Sequence, residues 1–178
     1  KPPAHWKDIN ADRRPNMFDQ SLRVPAIVRW PGVIKAGTRV EHTVTHLDWY
    51  PTLLAMTGTP STSTDPVRGR SIVPLLRGTP TEWSDDLYSE YSMREGATVD
   101  MRCWRTPDWK LSIDFRHRDR DEMFDLKHDP GETKNLIGSD RRDVQEMRES
   151  LTQKIREKMK EIGDPLFATL PPEPSESR

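Results

Sequence analysis

The chain has 178 residues, with 28 Lys+Arg against 29 Asp+Glu, one Cys, 16 Pro and a mean hydropathy of -0.87. That length suits one domain of ordinary size or one large piece of a longer chain, and 33% apolar against 32% charged residues makes for a modest core. A net charge of -1 argues against binding nucleic acid or anionic membrane through bulk charge, no run approaches the roughly 18 apolar residues of a membrane span, and one Cys excludes a disulfide framework or multi-Cys zinc site. The opening Lys1-Pro2-Pro3-Ala4-His5-Trp6 has neither an initiator Met nor an apolar signal run, as expected of a chain cut from the middle of a longer one.

The N-terminal stretch is polar and turn-rich, and Arg13-Arg14-Pro15-Asn16 reads as an ordered loop. Val24 to Trp30 is apolar on nearly consecutive positions and is closed by Pro31-Gly32, which predicts a strand buried on both faces, as in a parallel sheet. Val33 to Thr38 reads as a turn with Gly37 at positive φ. Leu47 to Met56 predicts a short helix with Asp48 as N-cap, Pro51 in the first turn and Gly58 as its stop. Thr59 to Pro66 reads as loop, and Ile72 to Leu76 as a brief helical stretch ended by Gly78.

From Leu87 the pattern changes to short strands: Leu87–Tyr91, Val99–Arg105, Trp109–Phe115 and Met123–Leu126. Trp109, Leu111, Ile113 and Phe115 alternate with polar residues, predicting one apolar and one polar face. Thr106-Pro107-Asp108 suits the turn between two strands, and the tight connections argue for a small antiparallel sheet. Val144, Met147, Leu151, Ile155, Met159 and Ile162 form one apolar stripe, which predicts a long helix started by Ser139 or Asp140 and ended by Gly163. The tail from Pro171 to Arg178 lacks an apolar pattern and reads as disordered.

Catalytic constellations are scarce. There is no Gly-rich phosphate loop, HExxH or GxSxG. Cys103 lies inside a strand with no base placed beside it and reads as structural or inert. His5, His42, His46, His117 and His128 are too scattered for a metal site, and Arg116-His117-Arg118-Asp119-Arg120-Asp121 reads as a solvated hairpin tip. Arg13 and Arg14 stand out, because they precede the expected buried strand, and such strand ends are where open α/β sheets place ligands. Guanidinium groups bind tetrahedral oxyanions through paired hydrogen bonds. A surface basic pair compensating Asp8, Asp12 and Asp19 remains the alternative.

Phe18-Asp19-Gln20-Ser21-Leu22-Arg23-Val24-Pro25-Ala26-Ile27-Val28-Arg29-Trp30-Pro31-Gly32 resembles the YExSLRVPxIVxWPG segment of type I sulfatases, members of the alkaline-phosphatase superfamily. Further segments are similar in the same order. Val44 to Leu54 resembles the D-x-x-PTLL helix, Arg68 to Gly78 resembles GxSLxPLLxG, Arg105 to Leu111 resembles RTxxYKL, and Met123 to Leu136 resembles LYDLxxDPxExxNL.

The resemblance spans Arg14 to Pro165 and implies a C-terminal segment of a formylglycine-dependent sulfatase. It implies an α/β fold, α+β in its C-terminal half: the end of an alkaline-phosphatase-like sheet, then a four-stranded antiparallel sheet packed by a long helix. The implied divisions are 1–86 as part of the main α/β domain, 87–165 as a sheet-and-helix subdomain, and 166–178 as a disordered tail. The family's nucleophile arises from a C-x-[PA]-x-R motif, which Cys103-Trp104-Arg105-Thr106-Pro107 does not match. The formylglycine and the carboxylates that hold Ca²⁺ are therefore expected outside this chain. Sulfatases often place a sulfate-binding Lys four residues before the aromatic of the YE pair. Counting back from Phe18 gives Arg14, with Arg13 beside it and Lys7 as the alternative.

The implied activity is hydrolysis of a sulfate ester of a small molecule or glycan, with the remaining N-terminal part of the same enzyme as partner and neither nucleic acid nor membrane. The implied location is periplasmic or secreted. A phosphodiesterase or phosphonate hydrolase of the superfamily, or a non-catalytic binding module, are the competing readings.

Overall fold

A computed structural model of the chain describes residues 15–64, 66–94 and 98–170. They fall into two compact units, one of residues 24–87 and one that joins residues 15–23 to residues from 88 onward. Among the described residues no helix is long and apolar enough to cross a membrane.

In the unit of residues 24–87, helix α2 (Trp49–Thr57) follows a 3-10 turn at His46–Asp48. The helical stretch is capped earlier than the sequence implies. Thr45 is the cap: its hydroxyl accepts the Leu47 N–H, and the Asp48 carboxylate reaches back to the Thr45 N–H at 2.7 Å. Two backbone donors are satisfied reciprocally, as in a capping box. Asp48 also accepts the Arg70 N–H at 2.8 Å, and Gly58 ends α2 at φ 67 as expected. Gly69 is fixed by space, because a Cβ there would lie 2.0 Å from the Leu47 carbonyl oxygen. The short helix α3 (Val73–Leu76) contributes Leu75 and Leu76 to a small core with Ile72, Trp49 and Trp83.

The strand expected at Val24–Trp30 finds no sheet partner among the described residues. The run is extended but joins no ladder among the described residues, and Val24 is 56% and Ile27 94% exposed. Only Val28 of its aliphatic residues packs against the small core. Consecutive apolar residues report that a segment suits burial; they say nothing of what covers it.

The second unit carries the antiparallel sheet β1 (Leu87–Met93), β2 (Val99–Arg105), β3 (Trp109–Asp114) and β4 (Glu122–Asp125), ordered β1-β2-β3-β4. Thr106 closes the β2–β3 turn, its N–H donating to the Trp109 carbonyl at 2.7 Å. On one face Leu111, Ile113 and Met123 pack against helix α4 (Arg142–Glu161) through Val144, Leu151, Ile155 and Met159, the expected stripe. Neither Ser139 nor Asp140 caps α4, since the cap position is Arg141 without a side-chain cap bond. Gly163 follows the helix at φ 66.

The opposite face of β3 is polar, as expected, and it is also covered. Lys110, Ser112 and Asp114 alternate with the apolar residues of β3 yet are all buried. Residues 15–23, including the single turn α1 (Asp19–Leu22), lie over this face as a strap. Met17 packs there with Val99, Met101 and Cys103, and Phe18 meets Phe124 in a tilted ring contact with centroids 5.9 Å apart. Two expectations are corrected in part. The charges at 116–121 form a solvated tip only in part: Arg116, Arg118 and Asp119 are exposed, but Arg116 pairs with the buried Asp100, and the Arg120 side chain is itself buried against Asp114. Residues 166–170 are ordered, forming a 3-10 turn at Phe167–Thr169 whose Leu166, Phe167 and Leu170 pack on the α4 core. Residues 171–178 lie outside the described part.

Candidate functional site

Three of the sequence motifs, far apart in the chain, meet at one charged node beneath the strap. Asp19 comes from the first, Arg105 and Lys110 from the second, and Glu132 from the third. Arg105 and Lys110 are cross-strand partners on β2 and β3, so both side chains leave the same face of the sheet. Lys110 Nζ lies 2.8 Å from Asp19 Oδ1 and 2.6 Å from Glu132 Oε1. Arg105 donates to Asp19 Oδ2 from Nε and Nη2, each at 3.0 Å. Glu132 Oε2 accepts the Asp19 backbone N–H at 2.6 Å, so the node grips the strap by its main chain as well as its side chain.

Local chemistry explains how Glu132 reaches this position. Asp129 accepts the N–H groups of Thr133 and Lys134, each at 2.8 Å, which folds Asp129–Lys134 into a tight turn. Glu132 sits in that turn at φ 55, the one non-glycine positive φ among the described residues. Asn135 then bridges outward, accepting from Met123 N–H and donating to the Asp121 carbonyl, while Leu136 enters the core. The strap has a second anchor upstream. Arg120 Nη2 donates to the Pro15 carbonyl at 2.6 Å, and the buried Asn16 accepts the Phe18 N–H.

The Lys110 and Glu132 side chains are almost fully buried, and Asp19 is 21% exposed. Burial opposes the ionised Asp19, but hydrogen bonds from Arg105 and Lys110 and their charges outweigh it, and its carboxyl is held below the usual range. Glu122, opposite Ser112 on the neighbouring strand, behaves in the reverse way, since burial pushes its carboxyl up to about 7.

The basic candidates Arg13, Arg14 and Lys7 lie outside the described residues, but Arg14 is bonded directly to Pro15, where the anchored strap begins. Cys103 lies under the strap, fully buried, and burial pushes its thiol up to about 12, far from a reactive thiolate. His42 and His128 each pair with an aspartate, Asp85 at 3.1 Å and Asp125 at 2.8 Å. Among the described residues no group of three or more His, Cys, Asp or Glu could hold a metal ion. Reading residue by residue missed Asp19, Arg105, Lys110 and Glu132. The available signal was a charged residue inside each of three motifs otherwise rich in structural positions.

The family model for N-sulphoglucosamine sulphohydrolase, C-terminal, matches residues 10–161. The chain belongs to this sulfatase family. It is 30% identical over 153 residues to the N-acetylglucosamine-6-O-sulfatase of Bacteroides thetaiotaomicron, covering 83% of this chain and 27% of that protein. It is 32% identical over 128 residues to the Delta 4,5-hexuronate-2-O-sulfatase of the same organism, covering 68% of this chain and 25% of that one. A protein solved in complex with its substrate D-glucosamine-2-N,6-O-disulfate matches with a TM-score of 0.66 and 29% identity, over 85% of this chain and 30% of its own. The sulfatase chain thus spans between a quarter and a third of the length of these relatives. The solved relative carries the sheet and C-terminal helix described above.

Proposed function

We propose that this chain serves a sulfatase that hydrolyses sulfate esters of carbohydrate, with amino-sugar sulfates as the leading substrate class. One observation carries the reading: three family motifs converge on a charged node that grips the strap immediately after the Arg13-Arg14 pair. In this reading Arg14 binds oxygens of the sulfate group or its neighbour through charge-assisted hydrogen bonds, with Arg13 and Lys7 as the other candidates. The exposed run Val24–Trp30 extends a sheet formed by the rest of the protein. The names of two relatives and the disulfated glucosamine bound to one solved relative support carbohydrate as substrate.

Family chemistry implies Ca²⁺, which neutralises sulfate oxygens when bound, and a formylglycine nucleophile. The described residues do not fit either group: no metal-holding cluster exists among them, and Cys103 is sealed with its thiol protonated. In the proposed reading these residues bind and position.

The test is sulfate release by the full-length protein from N-acetylglucosamine 6-sulfate, read by ion chromatography beside a phosphodiester substrate. Sulfate release supports the reading, and Arg14→Ala should then lower kcat/KM by about 10²-fold. Turnover of the phosphodiester alone would favour the superfamily's phosphoryl-transfer members instead. Turnover of neither would favour a binding module.

A further inference from the structure

We infer that Asp19, Lys110 and Glu132 are positioning residues for sulfate ester hydrolysis: they touch no substrate, but fix Pro15, the residue to which Arg14 is bonded, at the start of the rigid strap. This rests on the function proposed above.

The attachments are concentrated where such a role needs them. Between Pro15 and Asp19 the strap is held at the Pro15 carbonyl by Arg120, at the Asp19 N–H by Glu132, and at the Asp19 carboxylate by Lys110 and Arg105. Met17 between them is 1% exposed, and Pro15 has a fixed φ. Bonds to a backbone carbonyl and a backbone N–H fix the path of the chain itself, which side-chain packing alone would leave free to slide.

Stability is a weak explanation for the node. Buried ion clusters are often no more stabilising than apolar side chains of the same volume; what they add is a defined arrangement. Glu132 strengthens the point, because it occupies the left-handed region that a β-carbon disfavours. Residues held in such conformations cluster at functional sites. Here the carboxylate that the turn presents receives both Lys110 Nζ and the Asp19 N–H. The turn is thus shaped to deliver one acceptor to the strap, and a glycine would satisfy its backbone better.

The experiment uses the full-length protein with Asp19→Asn, Asp19→Glu and Glu132→Gly. It reads kcat and KM on the sulfated amino sugar, the inhibition constant of inorganic sulfate, and melting temperature. Misplacing a binding group by about 1 Å can cost about 10²-fold, and Asp19→Asn should lower kcat/KM on that scale and weaken sulfate inhibition. Asp19→Glu, which restores the carboxylate, should recover most of the activity. Glu132→Gly relieves the backbone but takes one carboxylate from the buried Lys110, so it should melt below wild type; assayed well below its melting temperature, it should lose at least about tenfold in kcat/KM. If Asp19→Asn and Glu132→Gly leave kcat/KM and sulfate inhibition within twofold, whatever their melting temperatures, the node is structural only and the inference fails. A wild-type protein inactive on sulfate esters would overturn the proposed function, and this inference with it.

Discussion

The pair Arg102–Asp164 offers the sharpest stability prediction. Arg102 on β2 meets Asp164, just beyond the C-terminus of α4, through Nε at 2.6 Å and Nη2 at 3.1 Å, with side chains only 5% and 2% exposed. Asp164 also accepts the Leu166 N–H at 2.9 Å, so it ties the 166–170 turn to the same point. Asp164→Ala would leave a guanidinium buried without its partner, at a cost of about 3–5 kcal/mol. For a chain of this size each kcal/mol shifts the melting temperature by about 2–4 °C, so a fall of roughly 6–20 °C is expected. The double variant Arg102→Met/Asp164→Leu removes both charges and should regain most of the loss. The pH dependence adds a check. Burial opposes the charged Asp164, but the Arg102 hydrogen bond, the Leu166 N–H and the guanidinium charge outweigh it, and its carboxyl is held below the ordinary value. A depressed carboxylate stabilises above its unfolded pKa of about 3.9, and that contribution is lost as pH falls through the lower folded value. The single variant should therefore lose stability relative to wild type at pH 7, with the gap narrowing toward pH 3. Calorimetry decides. A single variant that melts with wild type at pH 7, or a double variant no better than the single, refutes the account of a buried pair worth more broken than replaced.

Glu122→Gln should act with the opposite sign. A carboxyl raised to about 7 stabilises least once pH exceeds that value, so the variant should gain in melting temperature at pH 8 and match wild type at pH 4; an equal shift at both would exclude titration as the cause. Gly69→Ala drives a Cβ into the Leu47 carbonyl and should unfold the segment around Asp48, seen as lost hydrogen-exchange protection at Thr52 and Ile72 N–H. Unchanged protection there would show that the close approach relaxes freely. Cys103 should resist a thiol reagent in the native chain and react on unfolding, so stoichiometric labelling at pH 8 before any loss of structure contradicts its burial.

What the sequence disclosed and what it hid divide along the range of the interactions. The α4 stripe and the alternation in β3 are local periodicities, and both elements lie where those periods place them. Lys110, Ser112 and Asp114 form the polar face that the alternation predicts, but nothing within the strand reports a cover supplied by residues 91 positions earlier, the span between Asp19 and Lys110. The same blindness, reversed, applies to Val24–Trp30, where an apolar run predicted a burial that the described residues do not supply. At 116–121, charge density suggests a solvated tip, which holds for Arg116 and Arg118, yet the buried Asp114 draws Arg120 inward. The node itself was legible only as motif letters, because Asp19 and Glu132 are 113 positions apart and spacing carries no information at that distance.

The strap also imposes an order on biosynthesis. Its last partner, Glu132, is made 113 residues after Asp19, so at about 5–20 residues per second the strap waits on the order of 6–20 s before the node can close. Closing a loop of that length costs about 4 kcal/mol of chain entropy if nothing in between has folded. Until β2 to β4 are made, Met17, Phe18 and Leu22 have no sheet to cover. Synonymous changes that slow translation between Tyr88 and Glu132 should lengthen their exposure to chaperones and proteases without altering one atom of the finished molecule.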